Sequence, residues 1–250
     1  MNTTPQFFAL IIGTEILNRR REDKHFDFVT KVLEKHGHKL AGSFIIEDDP
    51  ALIINTIKFI ASQPNPILFS FGGIGSTPDD HTRKCAAIAL RNGQMEVNPE
   101  AKKIIEDTLG KRAYPHPVKM AELPKNAKLL KNPVNNMPAF QLDDRYFFMP
   151  GFPEMSHPMV KQILDTFIPE AEPTFRYTLT ANCRENLFIE LMEQTPKEVE
   201  VSSLPKLHDS KGWQASLSVA SKNNLLAKEI FGQYIELLEK ENISYILENE

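Results

Sequence analysis

The stretch 67-ILFSFGGIGSTPDDHT-82 holds an apolar run, three glycines in four residues, and two adjacent aspartates. Glycines directly after an apolar strand and before a helix mark a sharp turn, where backbone N–H groups and the helix dipole favour an anion. Asp79 and Asp80 should repel that anion, so their presence needs a reason. A helix is expected from Asp79 to about Arg91, stopped by Asn92-Gly93. In that register Thr77 is the N-cap, Pro78 occupies N1 and Asp80 sits at N3, which is nearly a capping box. The helix dipole favours such an aspartate by ~0.3–1 kcal/mol without any ligand. Capping explains one aspartate but not two beside a glycine-rich turn.

Working outward, apolar runs alternate with helical periodicity. FFALII (7–12) precedes a helix from about Lys24 to His36, with Phe28, Val32 and Leu33 on its apolar face. SFII (43–46) precedes a helix from Pro50 to Ser62. With ILFSF (67–71), these runs predict βαβ units and a mostly parallel sheet covered on both faces, with ligands at the carboxyl ends of its strands. Residues 94–140 are broken by prolines, with a helix near 100–109 and a short strand at 128–130. RYFFMPGFPEM (145–155) repeats the strand-turn-helix pattern before a helix from about Glu154 to Phe167. After the linker PEAEPT the order becomes β-α-β-β-α-β, a small α+β unit with Trp213 in its core. The expected domains are residues 1–170, a three-layer α/β domain, and 171–250.

The chain has 250 residues, with 29 Lys and Arg against 33 Asp and Glu, a net charge of −4. That balance speaks against a nucleic-acid partner, since phosphate-binding domains are usually basic. Cys85 and Cys183 have neither disulfide-framework nor zinc spacing, which fits a reducing cytoplasm. The run Phe7–Ile12 is too short for a membrane span and has no basic residue before it, so neither a membrane anchor nor a signal peptide is expected.

GGIGSTPDDHT resembles the G-G-x-G-x-T-x-D-D-x-T signature of the MoaB/Mog-type molybdopterin-binding domain, in the form found in competence/damage-inducible protein A and in the first domain of eukaryotic FAD synthases. IIGTEIL (11–17), IIEDDPALIINTI (45–57) and MPGFPEM (149–155) resemble three further motifs of that family in the same order. Thr14 stands where the family usually has Asp, and Ser76 where it usually has Pro. The amidase domain of full-length competence proteins is absent, which removes pyridine-nucleotide deamidation from the expected activities.

The resemblance implies a small-molecule ligand, molybdopterin or a nucleotide with a pyrophosphate, and a homodimer. On this reading the ligand meets Gly13, Thr14, Gly72, Gly73, Gly75, Ser76, Thr77, Thr82, Pro150 and Gly151. A divalent cation (Mg, Mn or Co) held by Glu15, Asp48, Asp79 and Asp80 would turn carboxylate repulsion into attraction. Asp48 and Asp80 are the candidate catalytic carboxylates of a metal-dependent nucleotide pyrophosphatase acting on the ADP-ribose or FAD class. Molybdenum-cofactor assembly, by adenylylation or metal insertion, and a non-catalytic ligand-binding role are the alternatives. Thr82 either contacts phosphate or bonds back within its helix, His81 faces solvent, and Arg19-Arg20-Arg21 forms either an anion clamp or a solvated face.

Overall fold

The computed structural model describes residues 4–208 and 212–248. The chain forms two compact units, Met1–Ala171 and Glu172–Glu250. No helix among the described residues is long and apolar enough to cross a membrane.

In chain order the first unit contains β1 (Gln6–Ile12), α1 (Thr14–Leu17), α2 (His25–Lys35), β2 (Leu40–Ile46), α3 (Pro50–Ala61), β3 (Pro66–Phe71) and α4 (Thr82–Leu90). It continues with β4 (Met95–Val97), α5 (Pro99–Leu109), β5 (Glu122–Pro124), β6 (Lys128–Leu130), β7 (Ala139–Leu142), β8 (Tyr146–Met149) and α6 (Pro153–Phe167). The main sheet runs β2-β1-β3-β8-β7-β6. Its first four strands are parallel, while β7 and β6 add antiparallel. A separate ribbon pairs β4 with β5. Being central, β1 is covered on both faces, and Phe7 through Ile12 are all buried.

The covering helices follow from spacing and caps. Val29, Val32 and Leu33 bury one face of α2, and Ile53, Ile57 and Ile60 one face of α3. Asp49 and Asn98 cap α3 and α5 by accepting the amides of Leu52 and Ala101 at 2.7 and 2.9 Å, each before a proline at the first helical position.

The helix after the glycine turn begins at Thr82, three residues later than its sequence suggests. The Thr77–Asp80 capping interaction does form, with the Asp80 amide returning to the Thr77 carbonyl at 3.0 Å. It closes an isolated turn, however. The Thr82 amide goes instead to the Gly73 carbonyl at 2.9 Å, and His81 is the residue that precedes α4.

The second unit contains β9 (Phe175–Ala181), α7 (Ile189–Gln194), β10 (Glu200–His208), β11 (Gly212–Ser221), α8 (Asn224–Lys240) and β12 (Tyr245–Glu248). Its antiparallel sheet runs β10-β11-β9-β12. Leu179, Ala215, Leu217 and Val219 form its core with Phe188, Phe231 and Tyr234. Trp213 lies outside that core, 43% exposed, with the Arg184 guanidinium 5.1 Å from its ring centre. It shares the inward parity of Ala215, but β11 pairs with β9 only from Ala215 onward. The hairpin carries Trp213 past the covered part of the sheet.

Gly72 has φ +101°, and a Cβ there would lie 2.4 Å from the Ile12 carbonyl oxygen. Backbone meets backbone, so neither side can move aside. Gly72→Ala should lower unfolding free energy by more than ~2 kcal/mol, from left-handed strain plus a clash. Gly110→Ala, with φ +55° but no atom within 4 Å, should cost only about 1 kcal/mol. Urea unfolding of both variants checks this; equal losses would refute it.

Candidate functional site

Because β2, β1, β3 and β8 are parallel, their carboxyl ends share one edge of the sheet. Register puts Ile12 beside Ile46, Ile11 beside Phe71, and Phe71 beside Met149. Four turns therefore meet there: Gly13-Thr14-Glu15, the loop around Asp48, residues 72–77, and Pro150-Gly151. The Gly13 amide reaches the Ile46 carbonyl, and the Gly72 amide the Met149 carbonyl, both at 3.0 Å. A Cβ on Gly151 would stand 3.3 Å from the Gly72 Cα.

The 72–77 loop is braced from below and from one side. Thr82 is fully buried, and its Oγ1 donates to the Gly72 carbonyl at 3.0 Å. A Cβ on Gly73 would fall 2.2 Å from that same oxygen. Thr82 is thus a brace: its hydroxyl bonds to the Gly72 carbonyl rather than back within its own helix. Arg83 donates to the Gly75 carbonyl at 2.7 Å, to the Glu122 carbonyl at 3.2 Å and to the Lys119 carbonyl. Burial pulls Arg83 below its ordinary value, opposed by Asp80 and Glu122, so a cation stays beneath the loop. Among the described residues the amides of Gly73, Ile74, Gly75 and Ser76 donate to no protein acceptor. Four adjacent amides without a protein acceptor give this turn an excess of N–H donors.

The carboxylates are held by threonines. Asp48 Oδ2 accepts from the Thr14 amide and hydroxyl at 2.9 and 2.8 Å, and the Asp48 amide returns to Thr14 Oγ1 at 3.2 Å. Asp80 Oδ2 accepts from the Thr77 amide and hydroxyl at 2.8 and 2.6 Å. A Cβ on Gly75 would lie 2.5 Å from that Asp80 oxygen, so the third glycine makes room for the carboxylate. Glu15 lies 3.7 Å from Arg21, and Asp79 is exposed.

The family described as "Probable molybdopterin binding domain" matches residues 8–170. The chain belongs to that family. A protein of Caldivirga maquilingensis is 30% identical over 68% of this chain and 66% of its own length. A CinA-like protein of Pseudothermotoga lettingae is 28% identical over 65% of this chain, but the match spans only 41% of that relative. The crystal structure of a CinA protein of unknown function from Thermoplasma acidophilum superposes with a TM-score of 0.59 at 24% identity, covering 66% of this chain and 99% of that one. It shares the fold.

Membership in this family makes the metal expectation testable against the donors present. Among the described residues no three histidine, cysteine or carboxylate side chains converge to hold a metal ion. Glu15, Asp48, Asp79 and Asp80 share the strand-end edge without forming a chelating group. Thr14 accounts for part of this: its hydroxyl donates to Asp48, where a second carboxylate would need a cation between them. In this arrangement the carboxylates by themselves do not form a cation cage.

Sequence reasoning missed Arg83 and His25. His25 begins α2 on its buried face, in the spacing His25, Val29, Val32, Leu33 that could have revealed it. Its ring stacks on Phe71 at 4.3 Å and meets His157 edge-on at 5.4 Å, and its Nε2 lies 3.3 Å from the Gly151 carbonyl. Burial lowers its pKa to about 4, against the raising pull of Asp23; His157 and Arg21 lower it further. Arg21 also donates to the Gly151 carbonyl, at 2.8 Å. Of the arginine run, Arg21 is therefore tied to the site, whereas Arg19 and Arg20 are exposed.

Neutral His25 supports the Pro150-Gly151 turn, and this generates a pH dependence. The unfolded chain protonates this histidine near pH 6.5, while the folded one resists to about pH 4. Its contribution is complete above pH 6.5 and falls away between 6.5 and 4, at most about 1.4 kcal/mol per pH unit. Urea unfolding from pH 7 to 4.5 should show that loss, and His25→Phe should flatten the slope by about one bound proton. An unchanged slope would contradict the role given to His25.

Proposed function

We propose that the first unit binds a phosphate ester, either molybdopterin or a nucleotide with a pyrophosphate, with a phosphate seated on the amides of Gly73 to Ser76. The observation that carries this reading is the set of four unpaired donors at the carboxyl edge of a parallel sheet, with Arg83 beneath them. Gly13, Thr14, Thr77, Pro150 and Gly151 line the same edge and complete the proposed contact set. Membership in the molybdopterin-binding family supports a pterin or nucleotide as the ligand. The cytoplasmic homodimer expected from the sequence belongs to the same proposal.

Turnover is a second reading, favoured by how Asp48 and Asp80 are held. Each uses Oδ2 for its threonine, while Oδ1 has no protein partner among the described residues. A carboxylate fixed through one oxygen presents the other in a defined direction, which suits a group that takes a proton from an attacking water. The class of reaction is hydrolysis of the pyrophosphate in ADP-ribose or FAD.

Calorimetry with inorganic pyrophosphate and ADP-ribose in EDTA tests the binding reading, and saturable 1:1 binding of both is expected. Asp80→Asn keeps an acceptor for Thr77, so stability should shift by less than ~1 kcal/mol. Removing its charge should strengthen pyrophosphate binding about fivefold, since a like charge near 4 Å costs ~1 kcal/mol even in bulk water. If Asp48 and Asp80 perform hydrolysis, Asp48→Asn and Asp80→Asn should both lose AMP release from ADP-ribose while still binding it. Failure of the wild-type protein to bind either compound would overturn the site.

A further inference from the structure

Phe152 follows directly on Gly151 and precedes α6, and it is 56% exposed. Single exposed aromatics are common and need no explanation. Phe152 differs in what stands over it. The Arg21 guanidinium carbon lies 5.3 Å from its ring centre, a cation–π arrangement. That guanidinium is itself anchored, donating to the Gly151 carbonyl at 2.8 Å and lying 3.7 Å from Glu15. Two of the four strand-end turns thus come together through one side chain, Glu15 after β1 and Gly151 after β8, while Gly72 packs directly against Gly151. Holding an arginine over an exposed ring fixes two otherwise mobile groups and leaves a flat, oriented surface beside the strand-end turns.

We propose that Phe152 and Arg21 form the platform on which the flat heterocycle of the ligand stacks, purine in a nucleotide or pterin in molybdopterin. The inference rests on the phosphate site above and says what holds the other end of the same molecule. A guanidinium plane and an aromatic ring both stack on the π-face of a flat heterocycle, tolerating different ring types. The amides of residues 73–76 would then recognise the pyrophosphate, and the platform the ring. Affinity for the whole ligand should exceed that for pyrophosphate alone by the stacking contribution.

The experiment compares inorganic pyrophosphate, ADP-ribose and a neopterin phosphate on the full chain. Phe152→Ala should weaken ADP-ribose or the neopterin phosphate about tenfold or more and leave pyrophosphate within about twofold. Whichever ring compound loses more identifies the heterocycle as purine or pterin. Phe152→Trp should retain affinity, and its fluorescence should be quenched by the ring compound but not by pyrophosphate. The platform is overturned if Phe152→Ala weakens pyrophosphate as much as the ring compounds, if it changes none of them, or if it only dissociates an oligomer in sedimentation. If wild-type protein binds no pyrophosphate, the phosphate site itself fails, and this inference with it; if pyrophosphate binds normally and Phe152→Ala changes nothing, only the platform fails.

Discussion

The strand-end edge depends on one close approach, Gly72 against the Ile12 carbonyl on one side and against Gly151 on the other. A side chain at 72 would lie 2.4 Å from that carbonyl oxygen, and one at 151 would lie 3.3 Å from the Gly72 backbone. Because neither turn carries a Cβ into that space, the ends of β1, β3 and β8 close to backbone distance. Beyond Gly72, whose amide goes to the Met149 carbonyl, the amides of Gly73, Ile74, Gly75 and Ser76 have no partner among the described residues. The positive φ of Gly72 and Gly73 opens the turn from which these donors follow, so the strain and the site share one segment.

The two aspartates then have separate explanations. Asp80 turns back on Thr77 and closes the loop that presents the amides, with Gly75 clearing space for its oxygen. Asp79 is exposed on that turn. Asp48 is locked to Thr14 in a reciprocal pair across 34 residues. Hydroxyls paired with carboxylates keep these negative charges oriented without a third group, whereas Asp at position 14 would set two carboxylates face to face. Arg21, Arg83 and neutral His25 supply the remaining support, by holding the Gly151 and Gly75 carbonyls of the same turns.

Much of the fold was legible because fully buried parallel strands read as unbroken apolar runs, and β1, β3 and β8 are such runs. The glycine turn was legible because φ above zero and close backbone contact both demand glycine. The start of α4 was not: a capping pattern has the same residues whether it opens a helix or closes a lone turn, and the tertiary bond from the Thr82 amide to Gly73 decided between them. The strand β7 was hidden among prolines; Asp143 and Asp144, both with positive φ, turn it back onto β8. Trp213 was misplaced because hydrophobicity gives a face but not where a strand outruns its neighbour. The Thr14–Asp48 pair depends on strand register, which no local pattern reports.

The central claim is that residues 73–76 hold a phosphate through their backbone. Titrating inorganic pyrophosphate into the isotope-labelled full chain in EDTA, and following the backbone amides by NMR, tests it most directly. The account predicts that the Gly73, Ile74, Gly75 and Ser76 amides shift together along one saturating curve, with Gly151 following them. Shifts confined to residues after 172, or loop amides that move only once magnesium, manganese or cobalt is added, would contradict it.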